Sequence, residues 1–445
     1  VDGVSNTLAA ALWATDMMFE AANVGAGGVN IISGSQPNMT PMYFDGHIDY
    51  KGKATYTPQV YPLYYGMLLF AQATANGASL VPVTSEKTGN MKVWATRDNQ
   101  GTVRVVALNK DQSLSGNVRI YLPGLSNNGT LVRLSASSVS AKTGLTLAGQ
   151  TFDGTTDGKA LGTYTSTPVT ASDSTYVFSL PAGSAAMLTL EHVPGDFNTD
   201  GKPDILWRHQ TTGQNTVWLM DGTTLTSNSS LPVVGDTNWQ VAGSEDFNMD
   251  GKPDILWRHQ TTGQNTVWLM DGTSLASTAS LPTISNLQWH VGATGDFNTD
   301  GKPDILWRNQ TTGQNTVWLM NGTTLTTSVP LQAVTDTNWQ VTGSGDFNKD
   351  GKPDILWRHL TTGRNSAWLM NGTTFTASAN LPTVADLNWQ VGGVADINTD
   401  GKPDILWRNQ TTGRNSAWLM NGTALATSAT LSAEADLAWK MRGPR

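Results

Sequence analysis

The sequence predicts a mainly β protein in which a short helix–strand–helix segment precedes an antiparallel β-sandwich and then a five-bladed β-propeller. Three observations carry this. A unit of 50 residues recurs five times from residue 196, each copy opening DFNxDGKPDILWR or a near variant, and a period of that length marks a propeller, solenoid or array. Fifteen of the 17 tryptophans fall in that region, three to a unit. Ahead of it, from Met91, short runs of β-formers alternate with Gly, Asn and Asp turns, the pattern of a sandwich.

Taken in chain order, Ser5 to Ala22 places Leu8, Ala11, Leu12, Phe19 and Ala22 at helical spacing, with Thr15 as the one polar interruption of the stripe. Ser5 or Asn6 is the expected N-cap. Gly28 to Ser33 (GVNIIS) reads as a short buried strand. Tyr61 to Ala75 reads as a second helix, with Pro62 in its first turn and Gly77 where a stop belongs. The β pattern then gives strands at Met91–Thr96, Thr102–Asn109, Asn117–Leu122, Thr130–Leu134, Thr175–Leu180 and Ala185–Leu190. Domain boundaries are expected at 1–85, 86–193 and 194–445.

Within one repeat every signal is β. Ile205 to Arg208 is a first strand and Thr216 to Met220 a second, ended by the hairpin dipeptide Asp221-Gly222. Leu225 to Leu231 is a third, and Trp239 to Gly243 a fourth. Four strands in about 50 residues make a propeller blade. The aspartate loop and the Trp-Gln-Val-x-Gly-type strand occur five times each, offset by one: the first loop has no such strand before it, and the last strand has no loop after it. Pairing the C-terminal strand into the first blade therefore closes five complete blades; a segment cut from a larger ring is the rival arrangement.

Composition narrows the functions. At 445 residues the chain has room for roughly two to four domains. Its formal net charge of −8 argues against nucleic acid or an anionic membrane as the main partner, because phosphate needs a basic face. The absence of cysteine removes disulfides, thiolate metal sites and thiol nucleophiles together. The most apolar stretches, Leu8–Ala22 and Tyr61–Ala75, contain Asp16, Glu20 and Gln72, and neither reads as a membrane span. A start at Val1, with no basic or apolar leader, reads as a processed product or a piece of something longer.

The strongest chemical signal is the loop Asp196-x-Asn198-x-Asp200-Gly201-x-x-Asp204. Hard cations such as calcium take six to eight oxygen ligands from short acidic side chains and main-chain carbonyls. Side chains at positions 1, 3 and 5 converge only if the chain turns sharply, which Gly201 permits. Lys202 is expected to offer its main-chain oxygen, and Asp204 to close the cage. The copies are Asp246, Asn248, Asp250, Lys252 and Asp254; Asp296, Asn298, Asp300, Lys302 and Asp304; Asp346, Asn348, Asp350, Lys352 and Asp354; and Asp396, Asn398, Asp400, Lys402 and Asp404. One calcium per repeat, up to five, is the expectation. The repeat region carries 23 acidic and 16 basic residues, an imbalance that bound divalent ions would offset. The bland reading is that Asp, Asn and Gly simply make good Asx turns, but turn chemistry does not require three carboxylates within nine residues.

Other side chains carry less. Trp207, Trp218, Trp239 and their copies serve either as sugar platforms or, more in keeping with a repeat, as packing between blades. His209, His259 and His359 become Asn309 and Asn409 in sister repeats and are not read as ligands. No GxGxxG, P-loop, HExxH or GxSxG motif is present. Asp16 and Glu20, four apart on a helix, read as a solvated face. Asp45 and Asp49 could line a pocket, although one loop rarely supplies a whole glycosidase site.

Two resemblances follow from these blocks. GVSNTLAAALWA at Gly3, Gly27-Gly-Val-Asn30, PLYYGMLLFAQ from Pro62 to Gln72 and Leu80-Val-Pro-Val83 resemble the C-terminal part of glycoside hydrolase family 79, the β-glucuronidase and heparanase relatives. Val105-Val-Ala-Leu-Asn-Lys110, Gly149-Gln-Thr-Phe152 and Pro181-Ala-Gly-Ser-Ala-Ala186 resemble that family's trailing β-domain. The resemblance, over about residues 1–192, implies the C-terminal remnant of a (β/α)8 barrel before the sandwich. It also implies a parent enzyme that cleaves β-glucuronides with retention through two glutamates. In the family both glutamates lie upstream of the GVSNT-like helix, so no catalytic residue carries over. The aspartate repeats resemble FG-GAP or VCBS-type repeats, which imply a calcium-binding propeller in a secreted or extracellular protein. The expectation is thus the C-terminal portion of a secreted glycoside hydrolase, inactive alone, whose propeller attaches to a glucuronide-containing glycan or another cell-surface component. A non-catalytic calcium-dependent adhesion or carbohydrate-binding protein is the alternative.

Overall fold

A computed structural model of the chain describes residues 2–31, 40–48, 51, 54–86, 89–98, 101–122, 129–172 and 174–444. The chain divides into two compact units, Val1–Glu191 and His192–Arg445.

In the first unit, helices α1 (Leu8–Asn23) and α2 (Pro62–Ala73) flank a hairpin of β1 (Met42–Ile48) and β2 (Ala54–Val60). The strands that follow are β3 (Ser79–Val81), β4 (Met91–Arg97), β5 (Val103–Asn109), β6 (Gly116–Tyr121), β7 (Gly129–Ser135), β8 (Thr146–Leu147), β9 (Thr167–Val169), β10 (Thr175–Leu180) and β11 (Ser184–Leu190). Seven of them form one sheet in the order β3-β4-β5-β11-β7-β8, with β9 also on β7, while β6 and β10 pair separately. Alternation along the central strands sends side chains to both faces. Val105, Ala107, Leu131 and Leu188 meet Val118, Ile120, Tyr176 and Phe178 of the small sheet. Val106, Leu108, Val132 and Met187 meet Leu8, Leu12, Phe19, Tyr65 and Leu69 of the helices. Each expected strand from Met91 onward is present to within a residue or two.

The helices approach closely at Gly66, where an added Cβ would lie 2.1 Å from the Ala11 carbonyl oxygen. Thr15, the polar break in the stripe, uses that contact: its hydroxyl bonds the carbonyls of Ala11 and Gly66, both at 3.1 Å. Several local expectations are corrected. The N-cap position is Thr7, with no side-chain cap bond, and Asn6 instead accepts from the Gly3 N–H at 2.8 Å. Residues 28–31 are irregular and mostly exposed rather than a buried strand, and 32–33 lie outside the described residues. Glu20 is exposed, as a solvated face requires, but Asp16 is largely buried. Asp16 accepts from Lys110 Nζ (2.7 Å) and Trp94 Nε1 (2.9 Å), and Glu20 pairs with Lys92, so both carboxylates clasp α1 to the sheet.

The second unit is a five-bladed propeller. Blade 1 joins β12 (Ile205–His209), β13 (Asn215–Asp221) and β14 (Thr224–Leu231). Blade 2 comprises β15 (Trp239–Glu245), β16 (Asp254–His259), β17 (Asn265–Asp271) and β18 (Ser274–Leu281). Blade 3 comprises β19 (Trp289–Gly295), β20 (Asp304–Asn309), β21 (Asn315–Asn321) and β22 (Thr324–Leu331). Blade 4 comprises β23 (Trp339–Gly345), β24 (Asp354–His359), β25 (Asn365–Asn371) and β26 (Thr374–Leu381). Blade 5 comprises β27 (Trp389–Ala395), β28 (Asp404–Asn409), β29 (Asn415–Asn421) and β30 (Ala424–Leu431). The last strand, β31 (Trp439–Met441), returns to pair antiparallel with β12, Trp207 opposite Met441 and His209 opposite Trp439. Blade 1 thereby gains its fourth strand and the ring closes, as the offset of the copies requires.

Trp207, Trp257, Trp307, Trp357 and Trp407 are fully buried between blades. Each lies under the guanidinium of the preceding blade's arginine at 4.9 Å, Arg408 over Trp207 completing the circuit. These tryptophans are packing residues, since no sugar could reach them. The histidines bond aspartates of the neighbouring turn, His209 to Asp436 at 3.0 Å, His259 to Asp236 at 3.0 Å and His359 to Asp336 at 3.1 Å. Asn409 keeps the same link to Asp386 at 3.3 Å.

Candidate metal centre

In blades 2 to 5 the aspartate loop lies where an innermost strand ends and the next strand begins, and in blade 1 it leads directly into β12, so all five share one face of the ring. In the first, Asp196 accepts the N–H groups of Asp200 (3.1 Å) and Gly201 (2.7 Å), and Asn198 Oδ1 accepts from Asp200 N–H at 3.1 Å. Asp200 Oδ1 accepts from Lys202 N–H at 3.0 Å. Asp204 is fully buried and binds two backbone donors, Phe197 N–H and Met220 N–H, both at 2.9 Å. Asp254, Asp304, Asp354 and Asp404 repeat this double bond in their blades. The lysine at position 7 points elsewhere: Lys202 Nζ reaches Asp221 at 2.7 Å and Lys252 pairs with Asp271, whereas Lys402 turns back to Asp400 at 3.3 Å. Among the described residues no three acidic or histidine side chains converge on one point. Position 1, 3 and 5 side chains wrap the loop's own N–H groups, and position 9 ties the loop to its blade.

Burial is the first cause of an unusual electrostatic state. It lifts Asp204, Asp254, Asp304 and Asp354 to about 7 and Asp404 to about 6, against backbone hydrogen bonds that pull the other way. Asp196 and Asp296 rise to about 6, and Asp346 and Asp396 also rise. Repulsion between carboxylates of the same loop adds to burial in each case. Such a set is short of positive charge, and its oxygen-only chemistry fits a hard divalent cation. The residues that would hold calcium are the side chains at positions 1, 3, 5 and 9 with the position 7 carbonyl.

Two features escape sequence reading. Position 4 is left-handed in every loop without being glycine: Thr199, Met249, Thr299, Lys349 and Thr399 have φ of 57–61°. A left-handed backbone at non-glycine residues is costly and persists where surroundings impose it. Position 2 anchors the loop in the next interblade core: Phe197 packs with Trp257, Phe247 with Trp307, Phe297 with Trp357, Phe347 with Trp407 and Ile397 with Trp207. Only the recurrence of an apolar residue between two ligand-type positions hinted at this. Of the remaining acidic candidates, Asp45 sits on β1 opposite Thr57, and Asp49 lies outside the described residues.

The matches to known families fall one kind within each compact unit. Residues 196–257, 246–307, 296–357 and 346–407 each match the FG-GAP-like repeat, every match running from one aspartate loop through the next and into the strand that follows it. The propeller is built of FG-GAP-like repeats. Residues 90–187, most of the large sheet and its covering strands, match the glycosyl hydrolase family 79 C-terminal beta domain. No curated protein matches the chain. Solved structures similar to part of it are glycoside hydrolases. One is a 4-O-α-L-rhamnosyl-β-D-glucuronidase from Fusarium oxysporum 12S, at 23% identity over 42% of this chain and 40% of that one, with a TM-score of 0.36. A glycoside hydrolase family 30 subfamily 8 xylanase from Clostridium acetobutylicum matches at 18% identity over 42% and 40%, TM-score 0.28. A family 51 arabinofuranosidase from Xanthomonas axonopodis pv. citri matches at 18% identity over 42% and 36%, TM-score 0.26. The chain spans two fifths or less of the length of these enzymes. No helix among the described residues is long and apolar enough to cross a membrane.

Proposed function

We propose that the chain is the C-terminal portion of a secreted, retaining, β-glucuronidase-like glycoside hydrolase whose FG-GAP-like propeller binds calcium and attaches the enzyme to carbohydrate or a cell surface. The observation that carries the reading is the family 79 C-terminal beta domain at residues 90–187 standing directly before five acidic repeats. In this reading the retaining pair of carboxylates, which must flank one glycosidic bond about 5–5.5 Å apart, lies outside the chain. Calcium supplies the positive charge that the crowded carboxylates of each loop need. The chain's own residues convert that into ring stability, because position 2 plugs the next interblade core while position 9 holds strand and loop together. The separation of the propeller as a compact unit favours a second reading, a calcium-dependent adhesion or carbohydrate-binding protein with no catalytic role.

The test has two arms. Calorimetric titration of metal-stripped protein with calcium is expected to show binding by up to five loops and a raised melting temperature; no heat and no shift would overturn the calcium assignment. Incubation with a chromogenic β-glucuronide is expected to give no turnover above buffer, with calcium or with chelator. Turnover abolished by Asp45→Asn or Asp49→Asn would overturn the placement of catalysis outside this chain.

A further inference from the structure

The outer hairpin turn is where the five blades differ in chemistry. Its first residue is Asp221 and Asp271 in blades 1 and 2 but Asn321, Asn371 and Asn421 in blades 3 to 5, each followed by glycine. An asparagine before glycine is open to ring closure, because glycine puts no side chain in the way of its own backbone nitrogen. All three stand in the same local sequence, Trp-Leu-Met-Asn-Gly-Thr, and all three are exposed at the end of a strand. The glycines share one backbone, with φ of 62–64°. Among the described residues no acceptor takes a hydrogen bond from the N–H of Gly322, Gly372 or Gly422. Sequence, exposure and turn geometry therefore do not separate the three. One tertiary contact does. Lys352 Nζ donates to Asn371 Oδ1 at 2.5 Å, as Lys202 does to Asp221 at 2.7 Å and Lys252 to Asp271. In blade 5 Lys402 turns to Asp400 instead, at 3.3 Å, and among the described residues no bond from Lys302 reaches Asn321.

We infer that Asn371 is a site of spontaneous deamidation, activated by the Lys352 ammonium. The ammonium draws charge from the amide carbonyl and steadies the oxyanion formed on attack, as a fixed donor does in an oxyanion hole. The Gly372 nitrogen bonds to Asn371 Cγ and gives its proton to water, while the Cγ–Nδ2 bond breaks and ammonia leaves. One water then opens the succinimide at either carbonyl, to aspartate or to isoaspartate. The balance is water in and ammonia out, with no oxidant or further reactant. Opening to aspartate gives blade 4 the lysine–aspartate pair that blades 1 and 2 already carry. Opening to isoaspartate adds a methylene to the main chain of a tightly seated turn, since a Cβ on Gly372 would lie 3.1 Å from Phe297 O. The inference is independent of what the propeller binds.

The experiment incubates the whole chain at neutral pH and follows conversion at each asparagine by peptide mass spectrometry. Asn321 and Asn421 serve as clocks within the same molecule. Asn371 is expected to convert about threefold faster than either, or more, an exposed donor doing far less than the roughly hundredfold of a buried one. Lys352→Gln is expected to bring Asn371 to the rate of the clocks and to leave theirs unchanged. An Asn371 no faster than the clocks, or one that still leads by the same factor in Lys352→Gln, would overturn the inference. A variant that unfolds would speed all three positions together. Lys352→Arg then decides: it keeps a cationic donor at the site, and loss of the Asn371 lead in that folded variant would equally overturn the role of the contact.

Discussion

Asp204 and its four counterparts hold two backbone N–H groups each from a fully buried position, yet burial raises them to about 6 or 7 from an ordinary value of 3.8. A carboxyl raised in the folded state stabilises fully below its unfolded value, and that contribution is lost as pH climbs through the folded one. In chelator, the melting temperature is therefore expected to fall between pH 5 and pH 7.5, and added calcium should remove most of the fall. A metal-free melting temperature that is flat or rises over that interval would defeat the assignment. The exposed Asp236, Asp336 and Asp436 do not confuse the window, because N–H groups and a histidine partner hold them below 3.8. Carboxylate spacing made the loops legible in the sequence. Their left-handed fourth residue was not, since Thr, Met and Lys all occupy it and nothing in residue type announces a backbone imposed by its surroundings.

At the scale of elements, the β-hairpin turns show how blades key together. Gly222, Gly272, Gly322, Gly372 and Gly422 have φ of 60–64°, and a Cβ at each would lie 2.9–3.6 Å from the carbonyl oxygen of position 2 in the preceding blade's loop. Gly322→Ala combines left-handed strain with a tight contact to Phe247 O and is expected to cost about 1–3 kcal/mol. Gly235→Ala, with ordinary backbone and open space, serves as the near-neutral control; equal denaturation midpoints would refute the keying. The dipeptides Asp221-Gly222 and Asp271-Gly272 made these turns readable. The clasp of Asp16 and Glu20 was not, because their partners Lys110, Trp94 and Lys92 stand 72–94 residues away. The β1–β2 hairpin escaped for a related reason: Gly46 and Pro58 interrupt its strands, and glycine and proline weaken a strand signal.

For the whole molecule, closure of the ring was legible because loops and inner strands are equal in number and offset by one. The burial of an interblade tryptophan was legible only as a preference, since recurrence alone does not distinguish a platform from a core. Trp307→Ala is expected to cost about 3–5 kcal/mol, as for other large buried aromatics, read from chemical denaturation. Removing residues 439–445 strips β12 of its partner and should lower the melting temperature and broaden the transition. Moving the same seven residues ahead of position 194 should restore both, whereas failure of the rearranged chain to recover would show that the seam does more than supply a strand.

The seam also has a direction. Because β31 is antiparallel to β12, with Trp207 opposite Met441 and His209 opposite Trp439, the incoming end of one strand lies beside the outgoing end of the other. Tension applied across those two ends would not load the three residue pairs in parallel; it would peel them open in sequence, beginning at Met441. A tether pulling on the ring in this way meets its weakest resistance at the seam, and the first thing to yield is a zip rather than a blade.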